Sequence, residues 1–354
     1  MFDFRSFDQP TVILLLTNLV ALVLLIGVSR FLKTRSESEI DMNIVRSFNK
    51  HILGWIVVVA VLATALAFNW VITVLFFWMV SFWAQREFVT LTPTRPGDHR
   101  TLFWVILVFP ILQYVLVGFA QYSLYSIVIP VYGSLFVAAR IAFANDPERF
   151  LERIAKIQFG MLITVYALSH APALLTLEPL QTWNGQLGEW TLWQGANGGL
   201  LLYLVVIVQI SELVHFAVDR MFGKHVIAPK VHATRSWEGL VAAAGVSAVV
   251  GILIQIFLPV TPFQIYGSGC MALMISVMGS SGSMTMAAIK RDRGVIREGT
   301  FVRGHQGVLD QIAALCFAAP IFFHVTRYFL ERPDVEIVHT PPVQTLVDHG
   351  LWWI

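Results

Sequence analysis

Ten apolar runs, most of them near the roughly 20 residues a helix needs to cross hydrocarbon, recur along the 354-residue chain. They lie at 11–29, 52–68, 70–85, 102–119, 121–139, 158–176, 198–219, 239–260, 262–281 and 308–329. The pattern predicts an all-α, polytopic integral membrane protein with about ten transmembrane helices. One junction governs the topology. Asn69 divides the 52–85 stretch, whose halves are short for separate spans, and a single long tilted helix there would reverse everything downstream.

The basic residues favour the divided reading. With ten spans, the polar segments 30–51, 86–101, 140–157, 220–237 and 282–307 carry five, three, four, four and five Lys or Arg, together 21 of the 24 in the chain. The alternate connections at 69, 120, 177–197 and 261 carry none. The positive-inside rule therefore puts both termini outside and all five basic loops in the cytoplasm, as expected of a bacterial inner membrane protein. The organisation expected is six N-terminal helices over 1–197, a second helical region over 198–330, and a tail over 331–354 on the outer side.

Composition narrows the class further. Hydrophobic residues make up 56% and charged residues 13%, far from a soluble globular chain. The net charge of +2 hides the asymmetry across the membrane, and basic residues beside lipid headgroups do not imply nucleic acid. Membrane lipids are the expected surroundings, and a homodimer stays open. The first apolar run lacks a small-residue cleavage site and reads as a retained helix. Cys270 and Cys316 both fall within apolar runs and read as small core residues. Trp183, Trp190 and Trp193 read as an outer aromatic belt.

Candidate chemistry concentrates in the last third. Glu212, His215 and Asp219 share one face of the seventh helix, being spaced i, i+3 and i+7. Such a stripe can hold a divalent cation with help from another loop, or form a structural network. The segment that follows offers Lys224, Lys230 and Arg235 as donors to phosphate oxygens, interleaved with glycines. Further on, Lys290-Arg291 and the run Gly304-His305-Gln306-Gly307-Val308-Leu309-Asp310 bracket a charged, glycine-marked loop between two apolar runs.

The order Phe222-Gly223-Lys224-His225, Ala228-Pro229-Lys230-Val231 and Arg235-Ser236-Trp237-Glu238-Gly239, followed by the 290–310 stretch, resembles the phosphatidate cytidylyltransferase family, also called CDP-diacylglycerol synthases. Lys290, Arg291, Gly304, His305, Gly307 and Asp310 match that family's late signature without gaps. The departures are specific. The family's Gly-Asp is Gly282-Ser283 here, its Lys-Asp is Ile296-Arg297, its Pro-Gly-His-Gly-Gly is Arg303-Gly304-His305-Gln306-Gly307, and its Asp-Arg-x-Asp is Asp310-Gln311-Ile312-Ala313. The acid of its seventh-helix motif is Glu212.

The resemblance implies transfer of CMP from CTP to phosphatidate or a related lipid phosphate, giving CDP-diacylglycerol and pyrophosphate in phospholipid synthesis. Lys290, Arg291, His305 and Asp310 would be the catalytic residues. Lys224, Lys230, Arg235, Gly304 and Gly307 would bind substrate. Mg2+ or another divalent cation would be held by Glu212 and Asp310, with His215, Asp219 and Glu298 as further ligands. Because two carboxylate positions are replaced, the alternative is a silent member that binds lipid or nucleotide, or partners with another lipid enzyme.

Overall fold

In a computed structural model, residues 8–35, 42–92, 94–177, 180–184, 189–294 and 307–330 are described. Ten long helical rods follow in chain order among them: α1 Gln9–Arg35, α2 Met42–Phe68, α3 Trp70–Leu91, α4 Pro96–Gly118, α5 Tyr122–Ala142, α6 Phe150–Thr176, α7 Asn197–Met221, α8 Trp237–Phe257, α9 Ile265–Asp292 and α10 Val308–Leu330. Eight of these are long and apolar enough to cross a membrane, and the apolar part of α2 is shorter, Ile52–Phe68. The protein is an all-α polytopic membrane protein.

Asn69 separates α2 from α3. It is extended, with φ −173° and ψ 157°, and its side chain accepts from the Val71 amide at 3.3 Å. An N-cap of this kind satisfies one of the first free donors of the new helix and starts it in a new direction. α2 and α3 then pack on each other, so the divided reading holds. One departure from the all-helical pattern falls between α6 and α7, where β1 Gln181–Asn184 pairs antiparallel with β2 Glu189–Leu192. Position 183 stands opposite position 190 in that register.

Prolines shape the middle helices. Pro110 and Pro130 lie beside or within wider π turns at Trp104–Val108 and Val128–Gly133. A proline removes a backbone donor and crowds the preceding turn, which such a turn relieves.

The helix that positions the site is α7. Every residue from Leu200 to Val208 is buried, as expected of a helix apolar on all sides, and α1, α8, α9 and α10 surround it. It runs parallel to α9 with a constant offset of 65 residues. Tyr203 donates to the Ser268 carbonyl at 2.5 Å, the Ser211 and Ser276 hydroxyls are 2.7 Å apart, and His215 Nδ1 lies 3.3 Å from Ser280 Oγ. Small residues allow the close approach. A Cβ on Gly251 of α8 would meet Ala272 and the Tyr203 hydroxyl, each at 2.6 Å, and a Cβ on Gly282 of α9 would run into the Ala313 carbonyl of α10. Close backbone packing of this kind replaces the hydrophobic driving force that lipid does not supply. α8 turns the other way, exposing Val241, Val249 and Phe257 toward the acyl chains.

Gly282→Val is expected to destabilise the protein by about 1–3 kcal/mol, because the α9–α10 crossing must open. Gly245→Val, where open space surrounds the Cβ, should be nearly neutral, and unfolding midpoints in detergent compare the two.

Candidate functional site

Three of the predicted residues converge with a cation between them. Glu212 and His215 lie on the same face of α7, one turn apart, and the loop 222–236 returns to place Arg235 against both. Arg235 Nη2 donates to Glu212 Oε2 at 2.6 Å, and Nη1 donates to His215 Nδ1 at 2.5 Å. A guanidinium is donor-only, so Nδ1 is the accepting nitrogen and the ring proton sits on Nε2. That nitrogen faces Asp219 Oδ2 at 3.5 Å, too far for a full hydrogen bond. His215 and Arg235 are both buried.

The remaining carboxylate atoms have their own partners. Ser283 donates its hydroxyl to Glu212 Oε1 at 3.0 Å, so the position where the resemblance expects an acid holds a donor to Glu212 instead. Asp219 Oδ1 accepts the Ser236 amide at 2.9 Å and the Ser236 hydroxyl at 2.6 Å. Ser236 in turn N-caps α8, accepting from the Gly239 amide at 3.0 Å. A Cβ on Gly239 would overlap the Asp219 carboxylate, which explains the glycine there without a ligand.

His232 braces the turn that delivers Arg235. Its Nδ1 accepts the Arg235 amide at 3.2 Å. Burial, with the Arg235 charge beside it, lowers its pKa from 6.5 to about 4.

A second pair lies two turns along α9 from Ser283, about 10 Å further on the same face. There Lys290 is ion-paired to Asp310 at the start of α10, and both are largely shielded. Arg291 is exposed, and its Nε donates to the Val231 carbonyl at 3.3 Å, tying the end of α9 to the loop of Arg235. Lys224 and Lys230 are exposed on that loop. Gly307 lies immediately before α10. His305, Gly304 and Glu298 fall outside the described residues, as does the tail 331–354.

The geometry thus brings Glu212, His215, Asp219 and Arg235 into one network and Lys290 with Asp310 into another, with Arg291 linking the loop to α9. Among the described residues, no three His, Cys, Asp or Glu side chains converge to hold a metal ion. Each carboxylate already receives a protein donor, so the set as arranged does not fit a resident divalent cation. Sequence reasoning missed Ser280, His232 and Glu87. Glu87 reaches the amide of Leu309, 222 residues away, and no local pattern carries that signal.

The chain is similar to known proteins over most of its length. The model of the cytidylyltransferase family matches residues 49–329. The uncharacterized protein YnbB of Escherichia coli K12 is 33% identical over 256 residues, covering 72% of this chain and 79% of that one. Phosphatidate cytidylyltransferase of Haemophilus influenzae is 33% identical over 137 residues, 37% of this chain and 46% of the relative. That of Pseudomonas aeruginosa is 28% identical over 153 residues, 40% and 52% respectively. The chain thus spans about half the length of these two enzymes.

Arg235→Met is expected to cost about 3–5 kcal/mol by leaving Glu212 charged and unpaired at membrane depth. Adding Glu212→Gln should recover part of the loss in a double-mutant cycle of unfolding midpoints. A separate effect of pH follows from His232. In the folded protein it takes a proton only near pH 4, against 6.5 when unfolded, so its contribution to stability is complete above 6.5 and is lost as pH falls through that window. Thermal midpoints between pH 7 and 4.5 should therefore drop less steeply in His232→Asn than in the parent.

Proposed function

Because this integral membrane chain belongs to the cytidylyltransferase family, we propose that it transfers CMP from CTP to phosphatidate or a related lipid phosphate, at the cytoplasmic face of the bacterial inner membrane. The observation that carries this reading is the clustering of Arg235, Lys290 and Arg291 where α7 and α9 meet the loop 222–236, with Glu212 and Asp310 as their counter-charges. A lipid phosphate oxygen attacks the α-phosphorus of CTP, the bond from that phosphorus to the bridging oxygen breaks, and pyrophosphate leaves with the electron pair. Such a transfer asks the protein for positioning and for cations against the phosphate charges.

Lys290, largely shielded, and Arg235, buried, are the donors for this work, and each must exchange its carboxylate for a phosphate oxygen when substrate enters. Exposed Lys224, Lys230 and Arg291 draw the triphosphate in. By their match to the family's late signature, His305 joins the catalytic residues, and Gly304 and Gly307 join the substrate-binding ones. The divalent cation, Mg2+ or another, enters as part of the nucleotide substrate.

A second reading is favoured by one observation: every described carboxylate of the site is already matched by a protein donor. On that reading the protein is a silent member that binds nucleotide or lipid without turnover. Purified protein given CTP, phosphatidate and Mg2+ should release pyrophosphate, and Asp310→Ala should release it about a hundredfold more slowly. CTP binding with no release by folded parent protein would instead establish the silent reading.

A further inference from the structure

We infer that Glu87 is a positioning residue for the signature-bearing helix pair: from the end of α3 it caps the N-terminus of α10 and thereby sets where Asp310 and Lys290 stand. Its bearing on turnover rests on the transferase reading above, whereas the cap itself does not.

The first amides of a helix have no partner within it, and the residue before α10 is Gly307, which has no side chain to offer. The acceptor comes from elsewhere: Leu309 donates its amide to Glu87 Oε2 at 3.0 Å. A carboxylate is well suited to that place, because the helix dipole concentrates partial positive charge there. A Cβ at position 307 would overlap the Glu87 carboxylate. Glycine at 307 and an acid at 87 are therefore one device, and the glycine that matches the family signature is required by close approach of a protein carboxylate.

The cap adjoins the chemistry. Asp310 is the next residue after Leu309, and the charges of both Asp310 and Lys290 act on Glu87. Leu309 is fully buried, so the cap is held against a packed wall and cannot drift. α3 packs against α10. Two carboxylates, one ammonium and one helix N-terminus thus share a small volume in which the position of each depends on the others. Removing Glu87 frees the first turn of α10, which carries Asp310, while leaving α7 and its Arg235 network untouched.

The test is hydrogen exchange on full-length protein in detergent, with Glu87→Ala, Glu87→Gln, Gly307→Ala and the pair Glu87→Ala/Gly307→Ala. Exchange at the Leu309 amide should quicken about tenfold in Glu87→Ala, with less change in Glu87→Gln and none at the amides of Leu200–Val208. Gly307→Ala should have the same effect alone and little in the Glu87→Ala background, where the clash is gone. Unchanged exchange at Leu309, or a Gly307→Ala effect that adds in full to that of Glu87→Ala, would overturn the cap. Where the parent releases pyrophosphate, Glu87→Ala should lower kcat/KM for CTP about tenfold, with partial rescue in Glu87→Gln. Faster exchange with unaltered kcat/KM would overturn the positioning role, and a parent without turnover would tell against the transferase reading while the exchange result stands.

Discussion

Arg235 carries a permanent charge into a place where water does not follow, and an ion so placed must find its counter-charge and hydrogen bonds within the protein. The chain meets that requirement from two directions. Glu212 and His215 come from consecutive turns of α7, and the loop that bears Arg235 is bent back by His232 and by the Asp219–Ser236 cap of α8. The loop cannot be placed without the helix, nor the helix end satisfied without the loop. The parallel course of α7 and α9 follows the same logic, since Ser280 and Ser283 of α9 complete the partners of His215 and Glu212.

This constraint shapes what the site can do. A network in which each carboxylate faces its own cation or hydroxyl holds the cations in place without leaving a buried charge exposed. The same balance means that an incoming phosphate competes with Glu212 for Arg235 and with Asp310 for Lys290. Such a site trades ground-state stability for a ready exchange of anions, and it suits a reaction in which charge is redistributed over phosphate oxygens and little covalent chemistry falls to the protein.

The reach of local pattern is visible in particular residues. Glu212, His215 and Asp219 could be read as one face because helical spacing is a local rule, and Arg235 could be read as a donor from its loop. The break at Asn69 was legible in the placement of the basic residues, and its cap geometry bears it out. Ser283 was legible only as a missing acid. That its hydroxyl serves Glu212 depends on the register between α7 and α9, which no stretch of either helix encodes alone. The β1–β2 hairpin escaped notice because its strands are four residues each and sit among aromatic residues that also suit a membrane interface.

By itself the sequence determined the membrane class, the ten helical rods and the family, because hydropathy, charge placement and fixed motif spacing are properties of the chain in one dimension. Only the tertiary structure decided which charges meet. Glu87 and Leu309 are 222 residues apart, and Arg235 could have faced a phosphate, a lipid headgroup or a carboxylate with equal local plausibility. Pairing at that range follows from helix packing, where small residues such as Gly251 and Gly282 permit close contact and each buried polar atom must be matched by whatever the neighbouring helix presents.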